Sequence, residues 1–333
     1  MFAIVGNSLV ILACFLQKKR PPLIIYIHVL AFSDLFYALL APFYTYRYVL
    51  QYWPNLIINF SLTGQLARSV AGIGNAFSTT SCWLVVALTI DRLILTRFPF
   101  DAAKLSTTKR AYLSSLAIGI LSFAFNSVWV YEVFDAPVTI LPCNGYYIIP
   151  NKVTRPDGSV YVPVRHRSEY QLYSVISATL FLYGIPTIVM IACNIVIIRK
   201  FSNNPIKSQS AKSAALRSKQ ASERRLTKMI VVVSVLFMIC NLPDIITRLL
   251  WKFLPPPIVS KVQPIAHLFL MINVAANFIV YSLFNKHLFT TIKAMCICHH
   301  DNQVTTVTSS SSNSSQPKTS GNSHAHSDVN LVT

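Results

Sequence analysis

Residues 227–252 read TKMIVVVSVLFMICNLPDIITRLLWK, and no charged side chain occurs between Lys228 and Asp244. The hydrocarbon core of a bilayer takes about 20 predominantly apolar residues in helical form, and this segment is long enough. Comparable segments lie near residues 1–16, 23–50, 68–96, 112–132, 171–198 and 262–284, giving seven spans. Turn-forming clusters separate them: Lys18-Lys19-Arg20-Pro21-Pro22 follows the first, Pro255-Pro256-Pro257 the sixth and Asn285-Lys286 the seventh. The composition agrees, with 53% hydrophobic and only 12% charged residues, where soluble domains carry about 25% charged. The reading is an all-α membrane protein: a bundle of seven helices followed by a polar tail.

The formal charge is +18, but the lysines and arginines sit in short clusters between spans. That is a topology signal rather than a basic face for nucleic acid, and no nucleic-acid partner is expected. An odd number of spans puts the two ends on opposite sides. The loops on the C-terminal side carry nineteen basic residues against nine on the other, so the C-terminus is predicted to be cytoplasmic. Of seven cysteines, Cys14, Cys82, Cys193 and Cys240 lie inside spans, Cys296 and Cys298 follow the last, and only Cys143 lies in a long loop. No disulfide framework is indicated. Met1 opens directly into an apolar stretch, so no cleavable signal peptide is expected.

The connection from Val133 to Glu169 holds two β-rich stretches, Cys143 to Pro150 and Ser159 to Val164, separated by Pro156-Asp157-Gly158. This predicts a β-hairpin over the outer mouth of the bundle. Asn59-Phe60-Ser61 is a glycosylation sequon on the same side, which makes Asn59 a candidate acceptor. Residues 299–333 are rich in Ser, Thr and Asn and are predicted to form a disordered, phosphorylatable cytoplasmic tail.

An ionisable side chain inside a span costs about 2.5 to 3.5 kcal/mol on insertion scales, which makes it a functional candidate; the alternative is a helix end or a structural hydrogen bond. Asp34, Asp91 with Arg92, and Asp244 are such residues, and each stands in a longer string. The first span carries Gly6-Asn7-Ser8-Leu9-Val10, and the second carries Leu30-Ala31-Phe32-Ser33-Asp34 with Pro42 beyond it. The third ends Asp91-Arg92-Leu93, followed by Pro99; the fifth has Pro186; the sixth has Phe237 and Cys240 before Pro243; the seventh has Asn277-Phe278-Ile279-Val280-Tyr281. In this order and on these spans, the strings resemble the rhodopsin-like (class A) family of G-protein-coupled receptors. The resemblance covers almost the whole chain up to Cys298.

The resemblance implies a receptor domain over residues 1–298 that binds an extracellular ligand and activates a heterotrimeric G protein at the plasma membrane. Arrestin and receptor kinases would act on the tail. In the family, the arginine matched by Arg92 is held by its neighbouring acid, here Asp91, and by an acid on the sixth helix, which Glu223 matches. Asn277 and Tyr281 match switch positions. A guanidinium near the membrane's inner edge is tolerable when paired with carboxylates, and such a pair can act as a two-state latch; the alternative is a solvated Glu223. Asp34, Ser81, Asn273 and Asn277 match a pocket that binds sodium as an allosteric ligand, with a sodium-free hydrogen-bond network as the alternative. No other cofactor is implied. Residues 285–298 resemble the interfacial eighth helix, with Cys296 and Cys298 as palmitoylation candidates.

The sequence departs from the family at several switch positions. Asn241 replaces the sixth-helix tryptophan, Phe278 the seventh-helix proline, Asn194 the fifth-helix tyrosine and Leu93 the tyrosine after the arginine. The helix-three cysteine position falls at Ala67, which leaves Cys143 without its customary partner. Only six residues precede Asn7, so the outer half of the first helix and the extracellular N-terminus are expected to be missing.

The opsin lysine position falls at Met271 and the amine-receptor aspartate at Gly74, which argues against retinal and amines. The loop hairpin, Asn241 and Asn285-Lys286 look most like peptide receptors, and within these like invertebrate FMRFamide-type neuropeptide receptors. Ligand-binding candidates are Asp244, Arg248, His267, Asn241, Asn75 and Ser78. Asp244 and Arg248, one turn apart, either meet opposite charges on a ligand or pair with each other. A small-molecule receptor of the same fold is the nearest alternative. A transporter or channel would favour internal repeats or polar pore rings, and a hydrolase would need an acid dyad, a serine elbow or metal-ligand spacing; the chain shows none of these motifs.

Overall fold

The structure, a computed structural model, describes residues 1–17, 20–52, 60–98, 100–135, 139–140, 147–148, 153–154, 160–161, 173, 177–203, 214–250, 256–285 and 288–294. Asn59, Cys143, Cys296, Cys298 and the tail lie outside them. The first span is Phe2–Leu16, the second Pro22–Tyr52, the third Phe60–Arg97 and the fourth Thr108–Asp135. A one-turn helix, Ala102–Leu105, joins the third to the fourth. The fifth begins as a π-helix, Ser177–Gly184, and continues as an α-helix over Ile185–Asn203; the sixth is Ala214–Leu250 and the seventh Pro256–Phe284. Six of these helices are long and apolar enough to cross a membrane. The first has 15 residues, about 22 Å at 1.5 Å per residue, against a hydrocarbon thickness of about 30 Å.

The third span is the hub, packing against the second, fourth, fifth and sixth, while the first packs on the second and seventh and the sixth on the seventh. Over residues 72–82 its buried residues are small or hydroxyl-bearing: Gly72, Gly74, Ala76, Thr79, Thr80, Ser81 and Cys82. Small side chains let helix backbones approach, which matters in lipid because there is no hydrophobic drive between helices. Hydroxyls and amides then stitch the spans: Ser33 Oγ donates to the Phe77 carbonyl at 2.8 Å, Asn126 Nδ2 to Thr79 Oγ1 at 3.1 Å, and Tyr26 and Ser114 share a hydrogen bond of 2.8 Å. Leu113, Leu116, Ile120 and Leu121 of the fourth span and Ile188, Ile191 and Ile198 of the fifth are exposed. Helices apolar on both inward and outward faces suit lipid as a solvent.

Pro186 explains a local detail. Lacking an N–H, it cannot bond the carbonyl four residues back, that of Leu182. The chain is wound as a π-helix up to Gly184, and the Leu182 carbonyl accepts instead from Cys82 Sγ at 3.1 Å.

In the Val133–Glu169 connection, β1 (Thr139–Ile140) pairs antiparallel with β2 (Tyr147–Ile148), and β3 (Val153–Thr154) with β4 (Val160–Tyr161). This differs from the expected single pairing of 143–150 with 159–164. β2 and β4 each pair with a strand nearer in sequence than they are to one another, where closing the loop costs less entropy.

Past the seventh span, Asn285 Oδ1 accepts from the Leu288 amide at 3.2 Å, as a residue capping the start of a helix does, and residues 288–294 are helical. Met1–Ile292 is one compact unit; of the second, Lys293–Thr333, the described residues are Lys293 and Ala294.

Candidate functional site

Three polar clusters lie along the bundle. The first is at the end of the third span bearing Arg92, called the inner end here. Arg92 is only 4% exposed, and its Nη2 donates to Asp91 Oδ2 at 2.9 Å while Nη1 stands 3.5 Å from Glu223 Oε2 on the sixth span. The Asp91 carboxylate is shared, since Ser106 Oγ donates to its other oxygen at 2.5 Å. Glu223 differs from Asp91: its side chain is 54% exposed, so its attraction is weakened by solvent. Thr89 and Ser234 make a second link between the third and sixth spans, at 3.0 Å. Tyr281 is buried on the seventh span, but its hydroxyl makes no hydrogen bond to this cluster; the buried Asn194 amide is likewise without a partner among the described residues.

The second cluster surrounds Asp34, which is 1% exposed. Ser81 Oγ donates to Asp34 Oδ1 and Asn277 Nδ2 to Asp34 Oδ2, both at 2.7 Å. Three spans thus meet on one carboxylate. A cavity of about 10 Å³, on the scale of one water molecule, is lined by Asp34, Tyr37, Ser78, Ser81, Phe237, Asn241, Leu270, Asn273 and Val274. Asn273 Oδ1 is buried there without a hydrogen-bond partner among the described residues. A carboxylate and an unpaired amide oxygen form a donor set that fits a hard cation. Ser78 and Asn241, expected on the ligand surface, line this same cavity, with Asn241 Nδ2 bonded to the Phe237 carbonyl at 2.7 Å. Asn75 gives its backbone carbonyl to Thr79 Oγ1 at 2.7 Å.

The third cluster lies toward the other end of the sixth span. Arg248 Nε donates to Asp244 Oδ2 at 2.7 Å, and the Tyr183 hydroxyl donates to the same oxygen. The Arg248 guanidinium lies 5.9 Å from the centre of the Tyr183 ring, within range of a cation–π contact. The Asp244 side chain is 3% exposed and that of Arg248 25%. The two candidates therefore pair internally, and Tyr183 completes the cluster. Nothing in the sequence marked Tyr183, because an aromatic residue in an apolar span carries no signal of its partner.

Residues 6–281 match the family described as 7 transmembrane receptor (rhodopsin family), and the chain belongs to that family. It is a multi-pass membrane protein of a receptor family, not an enzyme. It is 27% identical to somatostatin receptor type 3 of Rattus norvegicus over 261 residues, 76% of this chain and 55% of that protein. It is 25% identical to neuromedin-U receptor 2 of Rattus norvegicus, covering 86% of this chain and 70% of that protein. With neuromedin-U receptor 1 of Homo sapiens the identity is 27%, covering 89% and 71%. The chain spans about half the length of the somatostatin receptors it matches.

Proposed function

We propose that the chain is a plasma-membrane receptor for an extracellular peptide, with its C-terminus in the cytoplasm, and that it activates a heterotrimeric G protein. The observation that carries this is the buried Arg92 on the third span, held by Asp91 and reaching Glu223 on the sixth. A buried cation tied across two helices by one firm and one weak partner can release the weaker one while keeping the other, which is what a two-state latch needs. The peptide class follows the relatives, which are named as receptors for somatostatin and neuromedin U. Asp34, Ser81, Asn273 and Asn277 would hold a sodium ion that offsets the buried carboxylate in the inactive bundle. Residues 285–298 act as the interfacial eighth helix, anchored through Cys296 and Cys298; the loop strands cap the outer mouth; Asn59 carries a glycan; and the tail recruits arrestin and receptor kinases. Phe2–Leu16 would be the first of seven crossings.

The test is a neuropeptide library applied to cells expressing the chain, read through calcium and cyclic nucleotides. A peptide whose binding weakens on addition of a guanine nucleotide supports the reading. Binding indifferent to guanine nucleotide overturns coupling.

A further inference from the structure

Glu223 and Arg225 are two residues apart on the sixth span, about 200° around a helix of 3.6 residues per turn, so they leave it on nearly opposite sides. Glu223 faces the third span through Arg92. Arg225 faces the seventh: its Nη2 donates to the Leu283 backbone carbonyl at 2.6 Å. Leu283 lies in the last turn of the seventh span, which ends at Phe284. Carbonyls there lack partners within the helix and carry the negative end of its dipole, which suits a guanidinium. The neighbouring Tyr281 carbonyl is already taken, by the Asn285 amide at 2.9 Å.

We infer that Arg225 is a positioning residue that ties the inner end of the sixth span to the end of the seventh, and that it is the stronger of the two restraints there. Both contacts are exposed to solvent, so the difference between them is geometric: a charge-assisted bond of 2.6 Å against an ion-pair contact of 3.5 Å. Restraints on opposite faces also block both displacement and rotation of the helix. With Arg225 removed, the contact of Glu223 with Arg92 becomes a pivot rather than a lock. The inference rests on the proposal that the contact of Arg92 with Glu223 on the sixth span is a switch.

The experiment uses the full chain in lipid nanodiscs. Spin labels are placed at Ser222→Cys and Lys109→Cys, both exposed positions, after Cys143, Cys296 and Cys298 are changed to serine, and inter-label distances are measured without ligand. In Arg225→Ala a longer-distance population grows at least about threefold over the parent, and basal nucleotide exchange on added G-protein heterotrimers rises by about three- to tenfold, the range of one lost hydrogen bond. Arg225→Lys, which keeps a cationic donor, recovers most of the short distance. Glu223→Ala shifts the distribution less. If Arg225→Ala folds poorly, Arg225→Gln takes its place with the same expected direction. Unchanged distances in the Arg225 variant, or a larger shift in Glu223→Ala, overturn the inference. Should exchange stay at background in every protein, with the neuropeptide library added as well as without it, the coupling proposal fails while the distances still judge the restraint.

Discussion

Gly6 of the first span lies so close to Phe278 of the seventh that a Cβ added to it would stand 2.7 Å from Phe278 Cγ and 2.9 Å from its Cβ. These atoms form the root of the phenylalanine side chain, so no rotation of the ring tip relieves the clash. Phe278 stands where the family has proline, and the glycine opposite makes room for it. Phe2 packs edge-on against the same ring at 5.8 Å, and Asn7 Nδ2 reaches the Val274 carbonyl at 3.3 Å. Gly6→Ala is therefore expected to destabilise the bundle by about 1 to 3 kcal/mol, the usual cost of overpacking a well-filled interior. Thermal unfolding of the purified protein measures it. Adding Phe278→Ala to the Gly6→Ala protein should recover part of the loss, and equal stability of Gly6→Ala and the parent would show that the first span does not dock here.

Arg92→Ala removes the cation on which Asp91 and Glu223 converge. Asp91 keeps its bond from Ser106, so the short link between the third and fourth spans stays anchored and the protein should still reach the cell surface. Stimulated nucleotide exchange is expected to fall to background. Surface staining beside an exchange assay separates the two, and normal exchange in the variant would refute the role given to Arg92.

At the other end of the sixth span, Asp244 receives hydrogen bonds from both Arg248 and Tyr183. A hydrogen bond to a charged group contributes about 1.5 to 3 kcal/mol, so Tyr183→Phe should lower stability within that range. Asp244→Ala costs more, because it leaves a partly buried guanidinium unpaired, about 3 to 5 kcal/mol. Reversing both charges, Asp244→Arg with Arg248→Asp, restores the pair, and peptide binding that returns in the double variant marks an internal brace. Binding that stays lost assigns one of the two to the ligand.

The spans were legible because a bilayer demands long apolar runs, and Asp34 because a carboxylate in such a run is costly enough to stand out; Ser81, Asn273 and Asn277 were singled out only through the family resemblance. Contacts that end on backbone were not legible: the Leu283 carbonyl that holds Arg225 and the Leu182 carbonyl that takes Cys82 have no side-chain signature. Tyr183 was hidden because its place depends on the π-helical winding before Pro186, which shifts the faces of the fifth span relative to a regular α-helix. Of the loop strands, Tyr147–Ile148 and Val160–Tyr161 fall within the two stretches that alternation suggested, but they do not pair with each other; each pairs with a strand outside those stretches.

The Asp34 cavity yields a test that needs no ligand. An ion that binds only the folded bundle stabilises it in proportion to the logarithm of its concentration, by about 1.4 kcal/mol at ten times its dissociation constant. Unfolding temperatures are compared in sodium chloride and choline chloride at equal ionic strength, so that general screening cancels. The parent should gain stability with sodium. Asp34→Asn, which retains a hydrogen-bonding side chain but no charge, should show no gain. Asn273→Ala should lose part of it, because the buried Oδ1 of Asn273 has no hydrogen-bond partner among the described residues and would serve as a ligand to the cation. If parent and Asp34→Asn respond alike to the exchange of sodium for choline, the four residues form a hydrogen-bond network and not an ion site.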